Sequence, residues 1–258
     1  MILTNDNYYS PEANWEYMSV SQYKQFRKCP AAAMAQLRGE WEPPKTTALL
    51  VGSYVDSWFE GTLDKFRAEN PEIFKRDGSL KADYVQAEEI IKRVQRDPVF
   101  MEYMSGQKQV IMTRELFGVP WKIKMDSYHP GKMIVDLKVM RSMERIMGRS
   151  FVEEFEYDKQ LTIYSEVEGN NLDTYLAVVT KQIPSDIDII FVPEWRRIEL
   201  LDSIGKEMIR IVKVKKGEIE PDSCGVCAYC RSVKKVVKPL DFDLVGLSNY
   251  ERRAIYGG

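Results

Sequence analysis

"KIKMDSYHPGKMIVDLKVMRS", residues 122–142, decides the fold. Its second half, Met133 to Met140, runs apolar like a buried strand, except at Asp136 and Lys138. Strand residues two apart point the same way, so this acid and amine share one face. The first half alternates. Trp121, Ile123 and Met125 face one way, and Lys122, Lys124 and Asp126 the other. Between the halves, "HPGK" is turn sequence. If the hairpin closes around Pro130–Lys132, residue 126 lies opposite residue 136, and Asp126, Asp136 and Lys138 meet on one face. Two close carboxylates raise each other's pKa. A divalent cation removes that cost, and carboxylate oxygens with water are what Mg²⁺ prefers, with Mn²⁺ as the substitute. Such an ion lowers the pKa of its water and stabilises charge on a phosphate. Lys138 would orient or deprotonate that water, or neutralise the phosphate. These residues point to metal-assisted phosphodiester hydrolysis. The alternative is a chance Asp-x-Lys, since acid-x-Lys is common in a chain of ordinary composition.

The pattern outside this stretch is mixed. Residues 19–38 read as helix with a break at Pro30, and Gly39 to Lys45 is a loop. Helices are expected over 46–68, over 82–96 with Val85, Ile90, Ile91 and Val94 as its buried stripe, near 151–168, and over 197–216. Strands are expected over 108–117, 120–128 and 132–140 as a three-strand meander, and again over 174–181 and 187–192. The fold class is α/β, a mixed central sheet flanked by helices. The expected organisation is a single domain over 1–258: an N-terminal helical segment (19–45), a core (46–216) and a cysteine-bearing tail (217–258).

Composition narrows the chemistry. The 258 residues are 44% apolar and 29% charged, as in a globular chain. No run of about 18 apolar residues is present, so no membrane span is expected. The N-terminus lacks a basic start followed by an apolar run, so a cytoplasmic protein is the expectation. The single histidine, His129, lies in the turn, which makes Ser-His-Asp, Cys-His and His-rich zinc catalysis improbable. Net charge is −2, but Trp195 to Lys238 holds eleven Lys or Arg against six Asp or Glu. The runs 206–216 and 231–238 could receive a phosphate backbone, or simply form a solvated face. Cys29, Cys224, Cys227 and Cys230 account for every cysteine. A C-x₂-C-x₂-C run supplies three ligands of a [4Fe–4S] cluster and a distant cysteine the fourth. Zinc in a Cys₄ site, or no metal, remains open.

The hairpin resembles the core of PD-(D/E)xK nucleases of the RecB-type branch, which show a strand ending in Asp, a turn, and an apolar strand carrying Asp-x-Lys. "YDKQLTIY" resembles the branch's Gln-x-x-x-Tyr, with Gln160 and Tyr164 on one helix face. "VGSYVDSWF" resembles its Gly-x-x-x-His helix, with Asp56 where the branch has His; Asp56 would be a replacement metal ligand beside Asp126 and Asp136. "SVSQYKQFRKCP" resembles the opening of branch members that hold an iron–sulfur cluster between one early and three late cysteines. The last cysteine interval here is shorter than theirs.

The RecE-like, phage-type exonucleases are the most similar group. That resemblance implies a restriction-endonuclease-like fold and a Mg²⁺-dependent exodeoxyribonuclease working from ends of double-stranded DNA. It implies phage-type recombination beside a single-strand annealing protein, with a homo-oligomer as one arrangement. The catalytic set would be Asp126, Asp136, Lys138, Gln160 and Tyr164. The rivals are an endonuclease or single-strand nuclease of the same fold, and a non-catalytic, metal-stapled module that binds DNA or protein.

Overall fold

The computed structural model describes residues 1–44, 46–236 and 239–256. In chain order its helices are α1 (Pro11–Glu16), α2 (Val20–Lys28), α3 (Pro30–Leu37), α4 (Thr47–Phe59), α5 (Leu63–Glu69), α6 (Ala82–Gln95) and α7 (Pro98–Tyr103). The strands β1 (Val110–Leu116), β2 (Val119–Met125), β3 (Ser127–His129) and β4 (Met133–Met140) follow. Then come α8 (Phe151–Glu154), α9 (Tyr157–Glu168), β5 (Asp173–Thr180), β6 (Ile187–Val192), α10 (Glu194–Lys215), α11 (Ala228–Ser232) and α12 (Asn249–Tyr256).

The chain divides into two compact units. One comprises 1–44, 117–121 and the described part of 203–258; the other comprises 122–202 and the described part of 45–116. The N-terminal helical segment and the cysteine-bearing tail therefore fall in the same unit.

The second unit is built on a mixed four-stranded sheet in the order β3-β4-β5-β6. β3 pairs antiparallel with β4 in the register Ser127↔Val135, Tyr128↔Ile134 and His129↔Met133, which puts position 126 opposite 136 as the turn chemistry implies. β4 and β5 are parallel, and a parallel pair needs a crossover, which α8 and α9 supply. Val135, Leu137, Ala177 and Val179 cover one face of this sheet and pack with Val51, Tyr54 and Val55 of α4 and Ala87, Ile90, Ile91 and Val94 of α6. Each fully buried aliphatic chain of this kind contributes about 1.5–3 kcal/mol.

Three details depart from the sequence reading. The expected meander is two ladders, because β1 and β2 form a sheet of their own. The expected 120–128 strand breaks at Asp126, where the chain bends and changes partners. The helix expected over 46–68 is interrupted between α4 and α5 by Gly61 in the left-handed region, φ +73°. Glu156, also left-handed at φ 56°, likewise separates α8 from α9. Val85 is 48% exposed; Tyr84 and Ala87 complete the buried stripe instead, since at 3.6 residues per turn position 85 lies about 120° around the helix from Ile91, on the side away from Ala87, Ile90 and Val94.

In the first unit, Tyr23 and Phe26 of α2 and Met208, Ile211 and Val214 of α10 are buried, with Trp121 at 6.1 Å from the Tyr23 ring. Glu207 accepts a hydrogen bond from Tyr23 and pairs with Arg27 at 2.7 Å. Among the described residues no helix is long and apolar enough to cross a membrane.

Because Ile90 is wholly buried in this cluster, Ile90→Ala should cost about 2–5 kcal/mol of unfolding free energy. Denaturant titration followed by far-UV circular dichroism measures this, and a shift below about 1 kcal/mol would contradict the packing described.

Candidate active site

Asp126 occupies the bend between β2 and β3, and its position there has a local cause. Its Oδ2 accepts the Leu137 backbone N–H of β4 at 2.9 Å, so a side chain closes the mouth of the hairpin where the backbone ladder stops. Asp136, on β4, is 2% exposed. Gln160 of α9 donates to its Oδ1 at 2.7 Å, and the Lys138 ammonium pairs with its Oδ2. That Oδ2 otherwise takes no hydrogen bond of regular geometry. Gln160 also donates to the Tyr164 hydroxyl at 3.3 Å, which in turn donates to the Lys124 carbonyl at 3.1 Å. The four-residue spacing of Gln160 and Tyr164 places both over the acids, joined to each other.

The charges act on one another. Burial and the Asp136 charge push the Asp126 carboxyl up to about 7, against the pull of Lys138 and the Leu137 hydrogen bond. Asp56 of α4 is pushed well above the carboxylate range by burial and then by Asp126 and Asp136, with Lys138 opposing. Burial works against the Lys138 charge, but Asp136 and Asp126 outweigh it and raise its pKa. Lys138 stands 5.1 Å from the centre of the Tyr157 ring, a cation–π contact that steers the ammonium. Asp56, Asp126, Asp136, Lys138, Gln160 and Tyr164 are thus brought to one neighbourhood.

Three neighbours escape a sequence reading. Glu60 adds its field to both Asp56 and Asp126. Its signal was available, because it lies one helical turn after Asp56 on the same face. The field of Asp126 also reaches Lys108, whose ammonium bonds the Met104 carbonyl and stands 5.7 Å from the Phe59 ring centre. Gln109 approaches Asp126 Oδ1 at 3.5 Å from a left-handed backbone, φ 53°. Neither of these two carries a spacing signal. Glu115 is exposed on β1. His129 is tied down, with Nε2 2.9 Å from the Tyr103 carbonyl. Gly52, one turn before Asp56, faces open space: a Cβ there would meet nothing within 4 Å.

The carboxylates suit a hard divalent ion by chemistry: oxygen donors, mutual repulsion, and one buried oxygen of Asp136 with only an ammonium against it. They are less tightly gathered than the cysteines. Among the described residues, Cys29, Cys224, Cys227 and Cys230 are the one group of three or more His, Cys, Asp or Glu whose ligand atoms all lie within 4.8 Å of one another. All four are free thiols. The basic runs are partly committed. Lys215 donates to the carbonyls of Asn14 and Tyr17 and to Gln22 Oε1 at 2.8–2.9 Å, and Arg210 pairs with Asp222. Lys206, Lys213, Lys216, Lys234 and Lys235 are exposed, while Val237 and Lys238 lie outside the described residues.

A family model described as "PDDEXK-like domain of unknown function (DUF3799)" matches residues 19–233. The crystal structure of a protein from Eubacterium rectale, described as a "Putative exonuclease", is similar at 51% identity and TM-score 0.92, with 95% of this chain and 99% of that chain covered. The structure of SSO0001 is 14% identical with a TM-score of 0.35, covering 85% of this chain and 96% of that one, too distant to bear on the fold. No curated protein matches the sequence. The hairpin register, the crossover helix and the family match agree: the chain belongs to the DUF3799 family of PDDEXK-like domains, within the PD-(D/E)xK nuclease superfamily.

Proposed function

We propose that this protein is a divalent-metal-dependent exodeoxyribonuclease that hydrolyses phosphodiester bonds from the ends of double-stranded DNA. The observation that carries the proposal is the meeting of Asp126, Asp136 and Lys138 at one hairpin mouth, with Gln160 fixing Asp136. The 51% identical structure described as a putative exonuclease supports action from ends. The resemblance to RecE-like enzymes extends the reading to phage-type recombination beside a single-strand annealing protein.

Asp126 and Asp136, with Asp56 beside them, would hold one or two Mg²⁺ or Mn²⁺ ions. Bound there, a cation supplies a water of lowered pKa and counter-charge for the phosphate. The remaining work belongs to the chain. The Leu137 amide and Gln160 hold the two carboxylates in fixed orientations. Tyr164 braces Gln160 against the Lys124 carbonyl. Lys138, steered by Asp136 and Tyr157, orients the attacking water and neutralises charge that builds on the phosphate oxygens. Water oxygen bonds to phosphorus and gives up a proton to solvent, the bond to the leaving sugar oxygen breaks, and that oxygen takes up a proton from solvent in turn.

Pure protein incubated with linear duplex, closed circular and single-stranded DNA, with Mg²⁺ and with EDTA, tests this. Loss of linear duplex alone, abolished by EDTA and reduced about 10²- to 10⁴-fold by Lys138→Ala, is expected. Nicked circles would replace the reading with an endonuclease, and binding without product under any divalent ion would remove catalysis altogether.

The raised carboxyl gives a stability signature. Asp126 binds its proton more tightly folded, at about 7, than unfolded, near the ordinary value of about 3.9. Its contribution is therefore complete below the unfolded value and is lost as pH rises through the folded one. In EDTA, Asp126→Asn should gain stability over the native chain as pH goes from about 5 to 8, and Mg²⁺ should close the gap. Parallel melting profiles across that range would remove the mutual repulsion on which metal binding rests.

Gly52→Ala isolates the space above α4. Nothing crowds the position, so the variant should stabilise the helix by about 1 kcal/mol. If the opening admits the DNA backbone, the same variant should lower cleavage while raising the melting temperature; unchanged kcat/KM would assign the opening no part in substrate binding.

A further inference from the structure

The cysteine cage lies in the unit that holds none of the proposed catalytic residues. Cys29 sits in extended backbone between α2 and α3, and Cys227 caps α11. The sulfurs converge closely. Cys29 Sγ is 3.6 Å and Cys224 Sγ 3.8 Å from Cys230 Sγ, and no pair exceeds 4.8 Å.

The [4Fe–4S] cluster implied by the family resemblance does not fit this cage. In a cubane each thiolate binds a different iron, so its four sulfurs stand apart by the width of the iron core and their own bonds. Four thiolates on one tetrahedral ion stand much closer. With metal–sulfur bonds of about 2.3 Å, the edge of the tetrahedron is about 3.8 Å. The two short separations here match that edge.

The surroundings are built for thiolates. The amides of Cys224, Cys227 and Cys230 donate to the sulfurs of Cys29, Cys224 and Cys227 at 3.4, 3.3 and 3.4 Å. Ser223 Oγ lies 3.0 Å from Cys230 Sγ. Backbone donors aimed at sulfur fix ligand orientation and offset the charge of a four-thiolate site. The turn that carries Cys224 is held from outside. Asn249 of α12 donates its backbone amide to the Cys224 carbonyl at 2.7 Å and its side chain to the Ser223 carbonyl at 3.1 Å. Gly225, at φ +79°, leaves room for it: a Cβ would stand 2.7 Å from Asn249 Oδ1.

We propose that Cys29, Cys224, Cys227 and Cys230 bind one zinc ion in a tetrahedral all-thiolate site. Zinc suits four soft ligands with no open position, and such closed sites serve structure. The ion ties the α2–α3 junction to the C-terminal segment.

Metal analysis and visible absorption of the full chain, purified without oxygen, decide the matter. About one zinc per chain and a colourless solution are expected, and exchange with Co²⁺ should give the intense visible bands of tetrahedral cobalt thiolate. Brown protein with iron and acid-labile sulfide, a single iron per chain, or a chain that neither carries zinc nor protects its thiols when zinc chloride is added would each overturn the assignment. Cys227→Ser, at the one cysteine of the four that is not fully buried, should lose at least tenfold in zinc affinity by competition with a chromophoric chelator. Lys138→Ala should keep its full zinc content, so a failure of the nuclease reading and a failure of this one are separable. If Cys227→Ser does not fold, the cobalt spectrum of the native chain decides alone.

Discussion

One hydrogen bond organises the acid cluster of this chain: the Leu137 amide donated to the Asp126 carboxylate. The pair sits where a continuous antiparallel ladder would have used a backbone carbonyl. A hydrogen bond to a charged group contributes about 1.5–3 kcal/mol, which favours the ionised form of Asp126 against burial and the Asp136 charge. With the backbone released at residue 126, the chain bends, and β2 and β3 join different sheets. The strand register sets position 126 opposite 136, and the hydrogen bond to the Leu137 amide fixes the orientation of the Asp126 carboxyl there. Burial first, and then the neighbouring acids, push Asp56 and Asp126 upward, while the Lys138 ammonium is drawn onto Asp136.

Much of this was legible in the residues. The turn chemistry of "HPGK" fixes the hairpin register, and a two-residue period then forces Asp136 and Lys138 onto one face. The four-residue step from Gln160 to Tyr164 survives into a joined pair over the site. What could not be read depends on choices that local pattern does not encode. Alternation marks residues 120–128 as extended but says nothing of where a strand changes partner, so the meander was expected and two ladders occur. The helix breaks at Gly61 and Glu156 come from single left-handed residues inside otherwise helical composition. Lys108 and Gln109 reach Asp126 through tertiary packing just ahead of β1, and no spacing rule links residues so placed.

The cysteines divide in the same way. Their spacing marks four thiols, one early and three late in the sequence, as able to converge, and it is silent on how closely they do so. That second quantity separates one ion from a cluster, and it is set by structure around the motif: the extended residue between α2 and α3, the α11 cap, and the fit of Asn249 over Gly225. A C-x₂-C-x₂-C run is thus a statement about connectivity, while nuclearity is decided by the walls of the cage.

Lys215 has a consequence for the electrostatics of the basic segment. Its ammonium is satisfied by three oxygens from the N-terminal region, including two main-chain carbonyls. An ammonium whose three donors already go to protein oxygens has none left for a phosphate, so it would release few of the cations condensed on an approaching nucleic acid. Were a nucleic acid to lie along residues 206–216, Lys215 would therefore add little to the salt dependence, and the log–log slope would be shallower than a tally of basic residues implies.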